Sequence, residues 1–351
     1  MNKNKYTSAL ILLTAITLLF SGCKKTQELE LDGEGIGVPY HIKIVTDKKI
    51  NIDSLQEQID KRLYQINKDV SIYDPKSEIS KFNNRKNTEP FKTNLDINNI
   101  LVAAKFLYKL TDGALDITIK PVIDEWGFGK KIDNRIMPTD RKIAELMKHV
   151  GFNKVDFYDD MTQGTPIFYL RKKDPESSID LSSIVQGYAA DRISDLLVDN
   201  ELQNFMVDIG GEIITKGLNL DKAEWSIGIN TPKSDSTKNE VYAIIKLSNK
   251  AIATSGTYRN YVDIKDHRYS HIFDPKTGKP VDTRIASVSV IAPNCTIADG
   301  LATAFMVLGV EASLELIKKM KNIEALFITV DEDGQLEHYQ SSGFPLKIVS
   351  N

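Results

Sequence analysis

Two oxygen-bearing side chains lie four residues apart in an apolar stretch late in the chain. Asp299 and Thr303 fall within 297–308, which is predicted to be a helix, so both side chains point to one face. A carboxylate and a hydroxyl with no neighbouring histidine or cysteine are hard oxygen ligands, which suit Mg²⁺ or Ca²⁺ and not zinc. The flanking Leu301 and Phe305 indicate a buried helix, in which Asp299 needs a partner or a metal. The alternative is a polar face turned to solvent.

A histidine occupies a second stretch of reactive residue types. His271 is at the centre of 269–273, which is predicted to be a strand, so it shares a face with Tyr269 and Phe273. An imidazole is neutral near pH 7 and can accept a proton from a hydroxyl, so His271 is a candidate general base. The alternative is a purely structural histidine.

Three further stretches hold more glycine, acidic and hydroxyl residues than a core needs. Residues 180–188 run from a strand end into a predicted helix start, whose unpaired N–H groups bind anions. The alternative is that Ser182 or Ser183 only caps that helix. Residues 207–212 contain two adjacent glycines, which permit a ligand to approach the backbone, and 253–256 read Ala-Thr-Ser-Gly. None of the three is specific by itself.

The periodicity of apolar residues predicts the elements that must position these groups. Strands are predicted at 40–45, 205–214, 225–229, 241–247, 269–273 and 286–291, and helices at 52–70, 97–110, 139–150, 183–198, 297–308 and 311–321. No composition break, proline-rich linker or repeat divides the chain. The sequence therefore predicts an α+β fold, with mixed sheets and helices, in a single catalytic unit of one or two lobes over 33–351.

The bulk composition is that of a folded protein without an excess of basic residues. Of the 351 residues, 41% are hydrophobic and 26% are charged, which allows a substantial core. The formal charge is −3, and it becomes more negative when a leader carrying Lys3 and Lys5 is removed. This balance argues against a nucleic-acid-binding protein, which would carry a basic stripe.

The first residues, 1–22, have the pattern of an export signal. A basic start precedes the apolar run 9–20, which is too short and too interrupted for a comfortable membrane span. Residues 20–23, Phe-Ser-Gly-Cys, resemble a bacterial lipobox, so Cys23 is predicted to be acylated, palmitate included, and 23–32 to be a lipidated tether. Acyl chains, at about 0.8 kcal/mol per buried CH₂, would hold the protein on the periplasmic or outer face of a bacterial membrane. The alternative is an ordinary secretory signal with an incidental cysteine.

Cys295 is the other cysteine in the chain. With Cys23 acylated no intramolecular disulfide can form, so the domain depends on its core for stability. Cys295 is predicted to be a buried apolar residue and not a nucleophile.

Taken together, these stretches resemble the ApbE family of FAD:protein FMN transferases. The matching segments follow one another in order and cover most of the chain after the leader. They are Ser71–Asn83, Gly113–Thr118, Trp126–Gly129, Asp180–Ala189, Asp208–Glu212, Ala253–Asn260, Tyr269–Pro275 and Ala298–Thr303. Each is weak alone, but so many in the same order are specific.

The resemblance implies a Mg²⁺-dependent transfer of FMN from FAD to a Thr or Ser hydroxyl of an acceptor protein, with release of AMP. It implies that Asp299, Thr303 and a backbone carbonyl near Ser183 hold Mg²⁺ against the FAD diphosphate. It implies that His271 activates the acceptor hydroxyl and that Tyr73 lies along a ring of FAD. The residues implied to line the dinucleotide pocket are Asp180, Gly210, Gly211, Glu212, Thr254, Ser255 and Gly256. The implied acceptor is a flavoprotein subunit, such as one of a membrane redox complex.

Three places depart from the family pattern. Residues 36–38, Ile-Gly-Val, stand where the family often has Met-Gly-Thr, so a thioether and a hydroxyl are lost at the pocket edge. Ser182 and Ser183 replace two glycines, and Gln186 replaces a lysine, which reduces the space and the positive charge beside the diphosphate. None of these changes removes the candidate base or the side-chain metal ligands.

Two other functions fit the same residues. An FAD pyrophosphatase would use water as the nucleophile and give FMN and AMP, and a flavin-binding lipoprotein would serve only as a reservoir. The combination of Asp299, Thr303 and His271 favours an enzyme, because binding alone needs no base.

Overall fold

The computed structural model describes residues 25–128, 137–162, 164–232, 240–257, 261–264 and 267–348. The helices are α1 (Ile52–Val70), α2 (Glu78–Asn84), α3 (Leu95–Leu110), α4 (Lys120–Glu125), α5 (Asp140–Leu146), α6 (Val185–Asp199), α7 (Cys295–Leu308) and α8 (Val310–Ile317). The strands are β1 (Gln27–Gly35), β2 (Val38–Thr46), β3 (Phe91–Thr93), β4 (Val155–Asp160), β5 (Ile167–Lys172), β6 (Phe205–Ile209), β7 (Glu212–Lys216), β8 (Trp225–Asn230), β9 (Val241–Leu247), β10 (Ala251–Gly256), β11 (Tyr261–Ile264), β12 (His267–Ser270), β13 (Phe273–Asp274), β14 (Lys279–Pro280), β15 (Ile285–Ala292), β16 (Glu324–Val330) and β17 (Leu336–Gln340).

An eight-stranded sheet runs through the centre of the fold in the order β1-β2-β6-β7-β10-β15-β16-β17. Its neighbouring strands pair antiparallel, and tight turns join β1 to β2 and β6 to β7. Because the strand directions alternate, the β1–β2 turn, the β6–β7 turn and the C-terminal end of β10 lie at the same end of the strands. Residues from all three places are therefore available to a single site.

Helices cover one face of this sheet and a hairpin covers the other. Val288 and Val290 of β15 belong to the large core that contains the buried sides of α1, α3, α6 and α7. Ile291 packs in a second core with Trp225 and Ile245, which come from the β8–β9 hairpin. β15 is buried along its whole length because both of its faces are covered.

The sequence explains why α1 and α7 form where they do. In α1, Leu55, Ile59, Leu63 and Ile66 recur at helical spacing and are buried against the sheet. Both of these helices are capped at the N-terminus by an asparagine whose side chain accepts a hydrogen bond from a backbone N–H of the first turn. Asn51 accepts from Ser54 in α1, and Asn294 accepts from Ile297 in α7. These caps supply partners for N–H groups that the helix itself leaves unpaired.

The α+β fold predicted from the sequence is confirmed, with three corrections to individual elements. The predicted tether 23–32 is wrong from Gln27 onward, because Leu29 and Leu31 alternate with acidic residues and form β1 on the sheet edge. The predicted strand 205–214 is a hairpin, bent at its two glycines. The predicted strand 269–273 is interrupted at His271, which lies between β12 and β13.

Two further sequence expectations concern the helices and the leader. The predicted helix 139–150 is α5 followed by a short 3₁₀ turn, Met147–His149. Within the part of the chain that the structure describes, no helix is long and apolar enough to cross a bilayer. The predicted signal 1–22 and Cys23 lie outside the described residues.

Candidate active site

A cavity of about 1090 Å³ opens at the end of the sheet where the β1–β2 and β6–β7 turns lie. The candidate residues in its lining are Tyr73, Asp180, Ser183, Gly210, Glu212, Thr254, Ser255, Gly256, His271, Asp299 and Thr303. Gly211 is the one candidate of the dinucleotide pocket that lies outside the lining. The sequence thus identified residues that are far apart in the chain and that the fold brings to one cavity.

The first turns of α7 place the candidate metal ligands. Asp299 is 6% exposed, and its Oδ2 accepts a hydrogen bond from the backbone N–H of Gly187 at 2.9 Å. Burial raises the pKa of the Asp299 carboxyl well above its ordinary value, because the charged form is poorly solvated there. Thr303 lies one turn further on, with its hydroxyl 3.1 Å from that of Ser255 on β10. A carboxylate and two hydroxyls therefore meet in the cavity wall.

A glycine makes the contact between α6 and α7 possible. A Cβ on Gly187 would lie 2.3 Å from the carbonyl oxygen of Cys295 and 2.8 Å from the Cβ of Asp299. No other residue type fits at this crossing without moving one helix. The close approach also brings the Gly187 N–H within reach of the Asp299 carboxylate.

A second buried carboxylate holds the start of α7. Asp191 accepts hydrogen bonds from the backbone N–H groups of Cys295, at 2.7 Å, and Thr296, at 2.9 Å, and from the Thr296 hydroxyl at 2.5 Å. It thereby satisfies N–H groups that the helix leaves unpaired. Cys295 is fully buried, and burial raises the pKa of its thiol, so the prediction that it is not a nucleophile agrees with its surroundings.

Side-chain hydrogen bonds hold the segment before α6 in place. The Asn83 side chain donates to the carbonyl of Ile179 at 2.8 Å and accepts the N–H of Ile179 at 2.9 Å. The next residue, Asp180, accepts hydrogen bonds from the backbone N–H and the hydroxyl of Ser182 at 2.9 and 2.6 Å. The alternative that Ser182 or Ser183 caps the helix is wrong, because the cap position is Ile184 and no side chain caps it.

The β6–β7 turn needs its two glycines. Gly210 and Gly211 have φ values of 69° and 110°, which side chains other than glycine rarely adopt. The Gly211 N–H donates to Asp208 at 2.8 Å, which closes the turn. A Cβ on Gly210 would lie 3.0 Å from Val38, so the cavity wall is tight at this point.

The cavity carries an excess of carboxylates. Asp116, Asp180, Glu212 and Asp299 line it, and its described lining residues include no lysine or arginine. Asp116 accepts the N–H and the hydroxyl of Thr118 at 2.8 and 2.6 Å, and burial raises its pKa. When these carboxyl groups are ionised, an anionic ligand in this cavity needs a cation to offset their charge.

The sequence does not single out every residue that shapes the cavity. Asp116 falls within the segment Gly113–Thr118 and combines burial with a place in the cavity lining. Asn83 makes its paired contacts with a residue 96 positions away, so no local pattern indicates its role. Tyr73 lines the cavity but is 73% exposed, which places it at the rim. Gly129 and residues 258–260 lie outside the described part of the chain.

The chain is similar to characterised proteins over nearly its whole length. A family model described as the ApbE family matches residues 36–327. The FAD:protein FMN transferase of Vibrio cholerae is 38% identical over 332 residues, which cover 94% of this chain and 96% of that protein. The solved structure of the flavin transferase ApbE from Vibrio cholerae has a TM-score of 0.79 at 36% identity, covering 91% of this chain and 99% of that one. The apo form of the Pseudomonas stutzeri flavinyl transferase ApbE has a TM-score of 0.79 at 28% identity, covering 91% and 96%.

Proposed function

This chain belongs to the ApbE family, and we propose that the cavity at this end of the sheet is where it transfers FMN from FAD to an acceptor protein. Relatives that match the chain nearly end to end are named FAD:protein FMN transferase, and the chain is such an enzyme.

The charge of the cavity carries the proposal of a metal. FAD brings a diphosphate into a space that four carboxylates line, with no lysine or arginine among the described lining residues. Binding therefore needs a cation, and the Asp299 carboxylate, the Thr303 hydroxyl and the Ser183 carbonyl offer the oxygen ligands that Mg²⁺ prefers. The residues present thus fit a magnesium ion. When bound, Mg²⁺ would neutralise charge that develops on the diphosphate.

The start of α6 supplies a second favourable contact. Ser183, Val185 and Gln186 all line the cavity, so the N-terminal end of this 15-residue helix faces it. The positive end of a helix dipole stabilises a phosphate. Gln186 adds an amide that can donate a hydrogen bond where the family often has a lysine.

His271 is the proposed base of the transfer. The oxygen of an acceptor Thr or Ser hydroxyl would attack the phosphorus of the FMN phosphate while its proton passes to the imidazole of His271. The bond from that phosphorus to the bridging oxygen breaks, and AMP leaves with the electron pair. The products are AMP and a protein that carries FMN through a phosphoester. A positioned base contributes about 10²–10⁴-fold to such a step.

The proposed place of action is the bacterial cell envelope. The pattern of residues 1–23 supports export and acylation of Cys23, which would leave the folded domain on the periplasmic or outer face of a membrane. A membrane redox complex with an exposed flavoprotein subunit is the proposed acceptor, since enzyme and acceptor would then share one surface.

The direct test is to incubate the protein with FAD, Mg²⁺ and a flavoprotein subunit of such a complex, and then to measure the mass of the subunit. We expect a mass increase of one FMN less one water, matched by release of AMP. Release of FMN and AMP with no change in the acceptor mass would instead identify an FAD pyrophosphatase. Binding of FAD without any turnover would leave only the flavin-binding lipoprotein.

A further inference from the structure

A small group of aromatic side chains beside the cavity surrounds one tryptophan. Trp126, at the end of α4, is 3% exposed. Its ring centroid lies 5.3 Å from that of Tyr269 and 5.9 Å from that of Phe273. Phe273 also packs edge-on against Phe128 at 5.5 Å, and both of these phenylalanines line the cavity. Trp126 therefore stands directly behind one wall of the site.

The contacts of Trp126 lie on both sides of His271. Tyr269 is two residues before the histidine and Phe273 is two residues after it. The indole Nε1 of Trp126 donates a hydrogen bond to the carbonyl of Gly278 at 3.3 Å, in the turn between β13 and β14. One indole thus contacts the segment before the histidine, the segment after it and the turn that follows.

The backbone around His271 depends on such support. The regular strand is interrupted at this residue, β12 pairs with β11 in a two-stranded ribbon, and β13 and β14 have two residues each. Short strands of this kind are marginal without packing. Packing of the flanking aromatic rings can supply the rigidity that the strand pairing does not, and aromatic pairs favour particular ring geometries.

We propose that Trp126 is a positioning residue for FMN transfer, which holds His271 at the place where the acceptor hydroxyl is deprotonated. The inference rests on the proposed role of His271 in the transfer. Displacement of a reacting group by about 1 Å costs about 10²-fold in rate. Trp126 is buried and is not among the described residues that line the cavity, so it would act through the residues on either side of the base.

A double-mutant cycle tests this role. In the full-length protein, Trp126→Leu should lower the rate of FMN transfer at saturating FAD and Mg²⁺ by about 10- to 100-fold. The dissociation constant for FAD should change less than about threefold, because positioning of the base does not bind the cofactor. In the His271→Ala background the same Trp126→Leu change should alter the rate by less than about threefold, since the base is already gone.

The second tryptophan of the chain provides a matched control. Trp225 is also 3% exposed, and its Nε1 donates to the carbonyl of Lys216 at 3.1 Å, but it packs in the core on the opposite face of the sheet. Trp225→Leu should lower the melting temperature as Trp126→Leu does, with a transfer rate within about threefold of wild type. An equal loss of rate in both variants would mean that the effect is general destabilisation, and would overturn the proposal.

The remaining outcomes are separable. Equal effects of Trp126→Leu with and without His271 would show that Trp126 acts elsewhere, and would also overturn it. If Trp126→Leu does not fold, Trp126→Phe, which keeps a packed ring, should lower the rate about three- to tenfold with the same dependence on His271. A wild-type protein that modifies no acceptor would refute the proposed function, whereas normal transfer by Trp126→Leu would refute only the positioning role.

Discussion

Asn83 is expected to govern the binding of FAD although it lies outside the cavity lining. Its side-chain amide pairs with both backbone groups of Ile179, at 2.8 and 2.9 Å, and Ile179 is fully buried. In Asn83→Ala a buried N–H and a buried carbonyl lose their partners, and each costs about 1–3 kcal/mol. The two losses together should make the variant about 2–6 kcal/mol less stable.

The functional effect follows from what Ile179 precedes. Asp180 and Ser183 line the cavity, so a loosened segment should weaken FAD binding by about tenfold, which corresponds to about 1.4 kcal/mol. Urea unfolding followed by circular dichroism would measure the stability, and quenching of flavin fluorescence would measure the affinity for FAD. The neighbouring exposed Asn84 provides the control, because Asn84→Ala should change the stability by less than about 0.5 kcal/mol. Equal stability and equal affinity for FAD in Asn83→Ala and Asn84→Ala would refute this role of Asn83.

Four further predictions concern the base, the metal, the anchor and a buried lysine. His271→Ala should bind FAD normally by equilibrium dialysis yet transfer FMN about 10²–10⁴-fold more slowly, and loss of FAD binding as well would make His271 only a wall of the cavity. EDTA should abolish transfer by wild type, and Asp299→Ala should lose activity that high Mg²⁺ partly restores by mass action; full turnover in excess EDTA would contradict the metal site. Cys23→Ser should leave the membrane fraction or remain unprocessed, with the activity of the soluble domain unchanged, whereas mature wild type found soluble and unacylated by mass would exclude the anchor. Burial lowers the pKa of Lys172 to about 8, so between pH 8 and about 10.5 the unfolded state binds more protons than the folded state. The free energy of unfolding should therefore rise with pH across this range, by up to about 3 kcal/mol. Urea titrations of Lys172→Met should lack this rise, and a pH profile identical to that of wild type would show that the lysine is well solvated.

The sequence located the chemistry better than it located the strands. Asp299 and Thr303 were predicted to share one helix face from their spacing alone, and the fold places both in the cavity. This succeeded because α7 is a long apolar helix whose periodicity is a local property. Their roles, like that of His271, remain predictions for the experiments above.

The missed features depend on contacts between distant parts of the chain. β1 has an acidic residue at every second position, so it was interpreted as a tether, and it becomes a strand by pairing with β2. The paired hydrogen bonds between Asn83 and Ile179, and the packing of Trp126 around His271, leave no periodic signal. Tertiary pairing of this kind overrides local propensity.

The glycine at the α6–α7 crossing couples the stability of the fold to the geometry of its acidic site. The same close approach that lets the helices pack also directs the Gly187 N–H to Asp299, at 2.9 Å. A side chain at Gly187 would therefore disturb the packing of the two helices and the geometry of the acidic site together. Mutation at this one position cannot separate the stability of the fold from the placement of the Asp299 carboxylate.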